Sequence, residues 1–113
     1  MASEPVPSAK LSHTAAMILQ AIAASCLYGF SIMESLGLPS GTVYPALRRL
    51  ERDELIGSSW EKQKIADAEL RPPRKYYCLT PAGNRALEAA RRRYPLLDRL
   101  QPVHKPELES ERV

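Results

Sequence analysis

Few side chains in this chain could do chemistry, and their spacing excludes most of what they could do. No Ser/His/Asp or Cys/His arrangement, paired carboxylate site or glycine-rich phosphate loop is visible, so no enzyme activity is expected. His13 and His104 have no partner at metal-ligand spacing, so neither a metal nor a cofactor is expected. Cys26 and Cys78 lack CxxC spacing and fall in a predicted helix and a predicted strand. They read as reduced, buried thiols of a cytoplasmic protein. What remains is anion recognition. The stretch GLPSGTVYPALRRLERDELI, residues 37–56, joins a small hydroxylic start, a proline and a run of arginines. Backbone N–H groups and hydroxyls at a helix start can meet phosphate. An arginine further along the same face can reach a guanine edge or a second phosphate.

The periodicity of that stretch predicts an amphipathic helix. With Ser40 as N-cap, Gly41 and Thr42 form the first turn and Pro45 follows it at the cost of at most one hydrogen bond. Advancing 100° per residue places Ala46, Leu47, Leu50 and Glu54 on the side of Val43. Gly41, Pro45, Arg48 and Arg52 lie opposite, flanked by Tyr44 on one side and by Thr42 and Arg49 on the other. Arg49 and Arg52 have Glu51, Asp53 and Glu54 nearby and fit a solvated face. Arg48 is the candidate base or phosphate contact.

Other elements must hold this helix in place. Residues 1–10 read as a disordered arm. Ser12 caps a predicted helix from His13 to about Cys26, with Ala15, Ile18, Leu19 and Ile22 on one face. A short helix fits Tyr28 to Leu36, with Ile32 and Leu36 inside and Gly37 as its left-handed stop. After the arginine helix, IGSSWEK and RKYYCLT read as two strands joined by a long basic tip over Gln63 to Pro73. Thr80-Pro81 is an N-cap followed by proline, a strong helix start. The last helix is expected to run to residue 101 with Leu87, Ala90, Tyr94, Leu97 and Gln101 on one stripe, kinked near Arg93 by Pro95. Residues 102–113 read as an unstructured tail.

The order predicts a mainly α fold with a small β-hairpin. It is a winged helix-turn-helix over residues 11–80, made of three helices and a two-stranded wing, plus a C-terminal dimerisation helix over 81–101. At 113 residues the chain is one domain with a thin core, so Leu87, Ala90, Tyr94 and Leu97 read first as a dimer seam, with monomer core as the alternative. Net charge +3 and a pI near 9.0 lean towards an anionic partner. No apolar run is long enough for a membrane span, and the N-terminus lacks a secretory signal pattern.

The pieces YGFSIMESL, SGTVYPALRRLERDELI, SSW and PPRKYYCLTPAG, in this order, resemble the PadR family of bacterial transcriptional regulators from about Ala15 to Ala89. The resemblance implies a homodimeric winged-helix repressor on double-stranded DNA, of the short-tailed type. In that picture Ser40, Gly41, Thr42, Tyr44, Pro45 and Arg48 enter the major groove. The wing, with Lys62, Lys64, Arg71, Arg74 and Lys75 as candidates, meets backbone or minor groove. Three features depart from the family pattern: Glu54 stands where a glycine usually precedes Leu-Ile, no glycine precedes Arg71-Pro72, and Pro95 falls inside the dimer helix.

Some readings stay open on sequence. Thr42 could merely cap and Tyr44 could pack on the wing. Trp60, Tyr76 and Tyr77 read first as hairpin residues packed on the helices; a pocket for a small aromatic effector is the alternative. The acidic residues Asp67 and Glu69 at the wing tip, with Glu54, keep open a winged helix that binds another protein rather than DNA.

Overall fold

The computed structural model describes residues 11–97 except residue 26. The expected arm over 1–10, the Cys26 thiol, Gln101 and the tail over 102–113 lie outside the described residues. The elements are α1 (His13–Ser25), α2 (Gly29–Leu36), α3 (Ser40–Arg52), β1 (Ile56–Trp60), α4 (Gln63–Ala68), β2 (Lys75–Leu79) and α5 (Pro81–Arg93). They make a three-helix unit with an antiparallel two-stranded wing and a following helix.

The core gathers around α1, which is apolar on most of its circumference. Ala16, Ile18, Leu19 and Ile22 are fully buried there, against Ile32 of α2, Val43, Leu47 and Leu50 of α3, Ile56 of β1, and Ala86, Leu87 and Ala90 of α5. Each large aliphatic side chain so buried contributes about 1.5–3 kcal/mol before entropy is counted. Ser12 starts α1 as the sequence predicts: its Oγ accepts from Ala15 N–H at 3.0 Å. Thr80 starts α5 in the same way, accepting from Gly83 N–H at 3.0 Å, with Pro81 in the first turn.

The ends of α2, α3 and α4 are built on one device. At α2, Gly37 takes φ 68° and the N–H groups of Gly37 and Leu38 both bond the Met33 carbonyl. At α3, the N–H of Glu54 bonds Glu51 and that of Leu55 bonds Leu50, both at 3.0 Å. At α4, Leu70 N–H bonds Asp67 and Arg71 N–H bonds Ala66. These last two are Schellman turns, which place one residue in the left-handed region. Glu54 takes φ 63° and Leu70 takes φ 57°. The missing family glycines therefore change the residue and not the turn. Glu54 accordingly sits beyond α3, exposed, and not on the inner face where the periodicity puts it.

The corner after α3 docks on the start of α5. Thr80 N–H bonds the Leu55 carbonyl at 3.1 Å, and the Thr80 hydroxyl donates to the Glu54 carbonyl at 2.7 Å. Gly83 lies so close that a Cβ would strike the Leu55 carbonyl oxygen.

Two expectations are corrected. The stretch between the strands is not an open tip: α4 occupies it, with Ala66 buried. Helix α5 does not run to residue 101 with a kink but ends at Arg93. Pro95 has no N–H to offer the Arg91 carbonyl and disfavours helical geometry at Tyr94, which takes φ −119° and ψ 83°. The chain then turns back. Leu97 is buried, its carbonyl accepts from Gln20 Nε2 at 3.1 Å, and the Tyr94 hydroxyl donates to the Leu11 carbonyl at 2.9 Å.

Glu54→Gly and Leu70→Gly should each raise stability by about 0.5–1 kcal/mol, because relief of the left-handed penalty exceeds the added chain entropy. Gly83→Ala should cost about 2–3 kcal/mol through overpacking against fixed backbone. Urea unfolding of the three variants checks both; a neutral Gly83→Ala would refute the docked corner.

Candidate nucleic-acid interface

The outer face of α3 is assembled by what lies under it. Val43, Ala46, Leu47 and Leu50 are buried, so Ser40, Gly41, Tyr44, Arg48 and Arg49 are turned outward and exposed, with Thr42 and Pro45 half-buried beside them. Ser40 is the first helical residue and not the N-cap. Pro39, extended at φ −76° and ψ 160°, caps instead, and its carbonyl accepts from Thr42 and Val43 N–H at 3.0 Å. The N–H groups of Ser40 and Gly41 thus precede the first helical bond, which leaves them directed out of the helix start. Nothing lies within 4 Å of where a Gly41 Cβ would stand, so the fold does not require glycine there. Pro45 cannot donate to the Gly41 carbonyl, the single bond expected to be lost.

Tyr44 packs on α2, a surface the sequence does not point to. Its ring lies over Gly29 at the start of α2, where a Cβ would meet it at 2.5 Å, and the residue remains 38 % exposed. Arg52 pairs with Asp53 at 3.5 Å. Among the described residues Arg48 and Arg49 form no ion pair.

The wing cations divide into two groups. Lys62 and Lys64, at the start of α4, are exposed and form no ion pair among the described residues. The other three are held within the wing. Arg71 makes a two-pronged pair with Glu61, at 2.6 and 2.9 Å. Arg74 stacks its guanidinium 4.1 Å over the Tyr28 ring, while its N–H donates to Glu61 at 3.2 Å. Lys75 reaches Glu51 of α3 at 3.5 Å. Glu51 also accepts from the Ser58 hydroxyl at 2.6 Å, so one carboxylate ties α3 to both strands of the wing. Glu61 is not singled out by the sequence, and Glu51 is expected there beside Arg49 and Arg52, not on the wing. Their partners lie across the hairpin, and only its register (Ser58 opposite Tyr77, Trp60 opposite Lys75) brings them near.

Electrostatics follow that wiring. The hydrogen bond from Arg71 holds the Glu61 carboxyl well down, to about 2 from the ordinary 4.5, against the opposing effect of burial. The same bond raises Arg71. Burial pushes the Tyr77 hydroxyl up, with the Glu51 charge adding to it.

A model of the transcriptional regulator PadR-like family matches residues 18–89. The chain belongs to that family. PadR-like proteins are transcription regulators and not enzymes, and this one has their mainly helical, DNA-binding winged-helix fold. A PadR family regulator from Clostridium difficile is 26 % identical with a TM-score of 0.66, covering 79 % of this chain and 94 % of that one. One from Eggerthella lenta is 31 % identical with a TM-score of 0.57, covering 74 % of each chain. A mutant of MepR from Staphylococcus aureus, bound to an oligodeoxyribonucleotide, shares the fold at 22 % identity and a TM-score of 0.55, covering 88 % of this chain and 69 % of that one. No curated protein matches the chain.

Within this PadR-like chain, three further expectations meet different geometry. Trp60 and Tyr77 lie on the wing face that looks towards α3, whereas strand alternation puts Tyr76 on the other face, edge-on to Tyr28 at 5.5 Å. The three aromatics therefore do not line one pocket. Cys78 alternates with buried Tyr77 and is exposed, not buried. Leu87, Ala90 and Leu97 are already buried within one chain, beside half-buried Tyr94, because α1 covers the stripe that was expected to need a second copy. Among the described residues, no helix is long and apolar enough to cross a membrane.

The depressed Glu61 carboxyl gives a directional test. Its stabilising effect is full above about pH 4.5 and is lost as pH falls through about 2. Acid unfolding followed by circular dichroism should show a flatter limb between those values for Glu61→Gln than for the parent chain. Identical limbs would contradict the pairing with Arg71.

Proposed function

We propose that this chain is a sequence-specific repressor in the cytoplasm, acting as a homodimer on a pseudo-palindromic operator. The observation that carries it is the outer face of α3. An open glycine, hydroxyls and uncommitted Arg48 share one surface, and Glu51 fixes that surface relative to the wing. Ser40, Gly41, Thr42, Tyr44 and Pro45 form the close approach to a groove wall, and Arg48 reads a base edge. Lys62 and Lys64 supply the wing's phosphate contacts, while Arg71, Arg74 and Lys75 chiefly build the wing. Membership of the PadR-like family and the oligodeoxyribonucleotide on the MepR neighbour support DNA as the partner.

Two recognition helices of a dimer would enter successive major grooves about 34 Å apart. The surface joining the copies has to extend beyond Leu87, Ala90, Tyr94 and Leu97. Leu96, 62 % exposed in the turn after α5, is an apolar side chain which that region leaves uncovered. A second reading, a winged helix that binds protein, is favoured by Leu70, 92 % exposed beside acidic Glu69 at the wing tip.

Fluorescence anisotropy on the duplex upstream of the protein's own gene and on a shuffled control tests the proposal. Arg48→Ala should cost about 1–3 kcal/mol on the native duplex and little on the control, and Lys64→Ala should flatten the salt slope by about one on both. Gly41→Ala should leave the melting temperature unchanged or raised and still weaken binding. Equal losses on both duplexes for Arg48→Ala would remove it as a base reader, and full binding by Gly41→Ala would place the contact elsewhere.

A further inference from the structure

Five wing side chains carry positive charge, yet the wing does not present five free cations. The one that pairs with α3 is Lys75, and it is restrained from several sides. Its ammonium lies 3.5 Å from Glu51 and 5.8 Å from the ring centroids of both Trp60 and Tyr77. Glu51 is itself fixed by the Ser58 hydroxyl at 2.6 Å, so the carboxylate is not free to swing away. Both side chains of the pair keep about a third of their exposure, at 35 % and 36 %, which leaves Lys75 within reach of a ligand. Exposed ion pairs are weak on their own. Here the indole and phenol rings add a second attraction, and the carboxylate is already oriented. A phosphate competing for Lys75 must displace Glu51 and would leave that carboxylate facing the DNA backbone.

We propose that Glu51 is a specificity-determining residue: it withholds Lys75 from the phosphate backbone and so suppresses sequence-blind binding. The proposal rests on the DNA-binding reading above. Non-specific affinity comes from phosphate neutralisation, whereas base-edge contacts by α3 are untouched by this pair. Removing the restraint therefore raises binding to arbitrary DNA more than it raises binding to the operator, and discrimination falls.

Glu51→Gln is the informative change, since a glutamine amide oxygen can still accept from Ser58 while its charge is gone. The probe is a fluorescein-labelled 30-base-pair duplex of random sequence, titrated at 50 and 200 mM KCl with the full chain, Glu51→Gln, Lys75→Ala and the double variant. One freed phosphate contact should tighten Glu51→Gln roughly three- to tenfold at the lower salt and steepen its salt slope by about one. Both gains should vanish in Glu51→Gln/Lys75→Ala, and Lys75→Ala alone should flatten the slope by much less than Lys64→Ala does. A gain that survives in the double variant, or no gain at all beside a parent chain that binds, overturns the role of Glu51 and leaves the DNA reading standing. Failure of both parent and Glu51→Gln to bind the duplex at 50 mM KCl overturns the DNA reading and this one together. If Glu51→Gln does not fold, the comparison of Lys75→Ala with Lys64→Ala decides: equal flattening refutes a withheld Lys75.

Discussion

The corner at Glu54 and Leu55 is the constraint on which the rest depends. It ends α3, starts the wing and rests on the first turn of α5, all within a few residues. Thr80 serves it twice, as donor to the corner's carbonyls and as cap of α5, and Gly83 lets the helix backbone come up against the Leu55 carbonyl. Buried Leu50, Leu55 and Ile56 close the apolar side. With the corner set, the angle between the outer face of α3 and the wing is set too, because Glu51 bridges one turn earlier to Ser58 and Lys75. A binding surface made from two elements is only as precise as the joint between them.

Charge in this molecule is arranged more by pairing than by amount. The excess of basic residues suggests a broadly positive wing, yet Glu61 engages Arg71, Tyr28 engages Arg74 and Glu51 engages Lys75. These partners make the hairpin stiff: Glu61 joins both of its strand ends, receiving the Arg71 fork while its own N–H bonds the Arg74 carbonyl at 2.7 Å. The uncommitted positive charge that remains on the proposed DNA side is Arg48 and Arg49 on α3 and Lys62 and Lys64 at the wing. A small set of free cations on a rigid frame favours discrimination over raw affinity.

Most of the fold was legible in the sequence because local signals agree with tertiary ones. The apolar spacing of α1 and α3, Gly37 as a left-handed stop, Ser12 as a cap and Thr80-Pro81 as a helix start all appear where the residues predict them. Local signals understate the structure at Pro95, where the proline ends the helix instead of bending it, and over residues 63–68, where a charged stretch folds into a turn and a half of helix around buried Ala66. The exposed face of α3 was legible, because one periodicity decides which side faces out. It was not legible on the wing. Which cation meets which carboxylate depends on hairpin register and on the distance to α3, and neither is written in any single segment. The same holds for the stripe on α5. Periodicity identifies Leu87 and Ala90 as apolar positions but cannot say whether α1 or a second chain covers them.

The central claim is that duplex DNA meets the outer face of α3 together with Lys62 and Lys64. Amide chemical-shift mapping of the ¹⁵N-labelled protein, titrated with the upstream duplex, addresses it most directly. Shifts concentrated at Ser40, Gly41, Thr42, Tyr44, Arg48, Lys62 and Lys64, with α1 and the Arg85–Glu88 surface of α5 quiet, are the predicted result. Shifts centred on α5 or on the Tyr76–Cys78 face of the wing, with α3 unmoved, would contradict it.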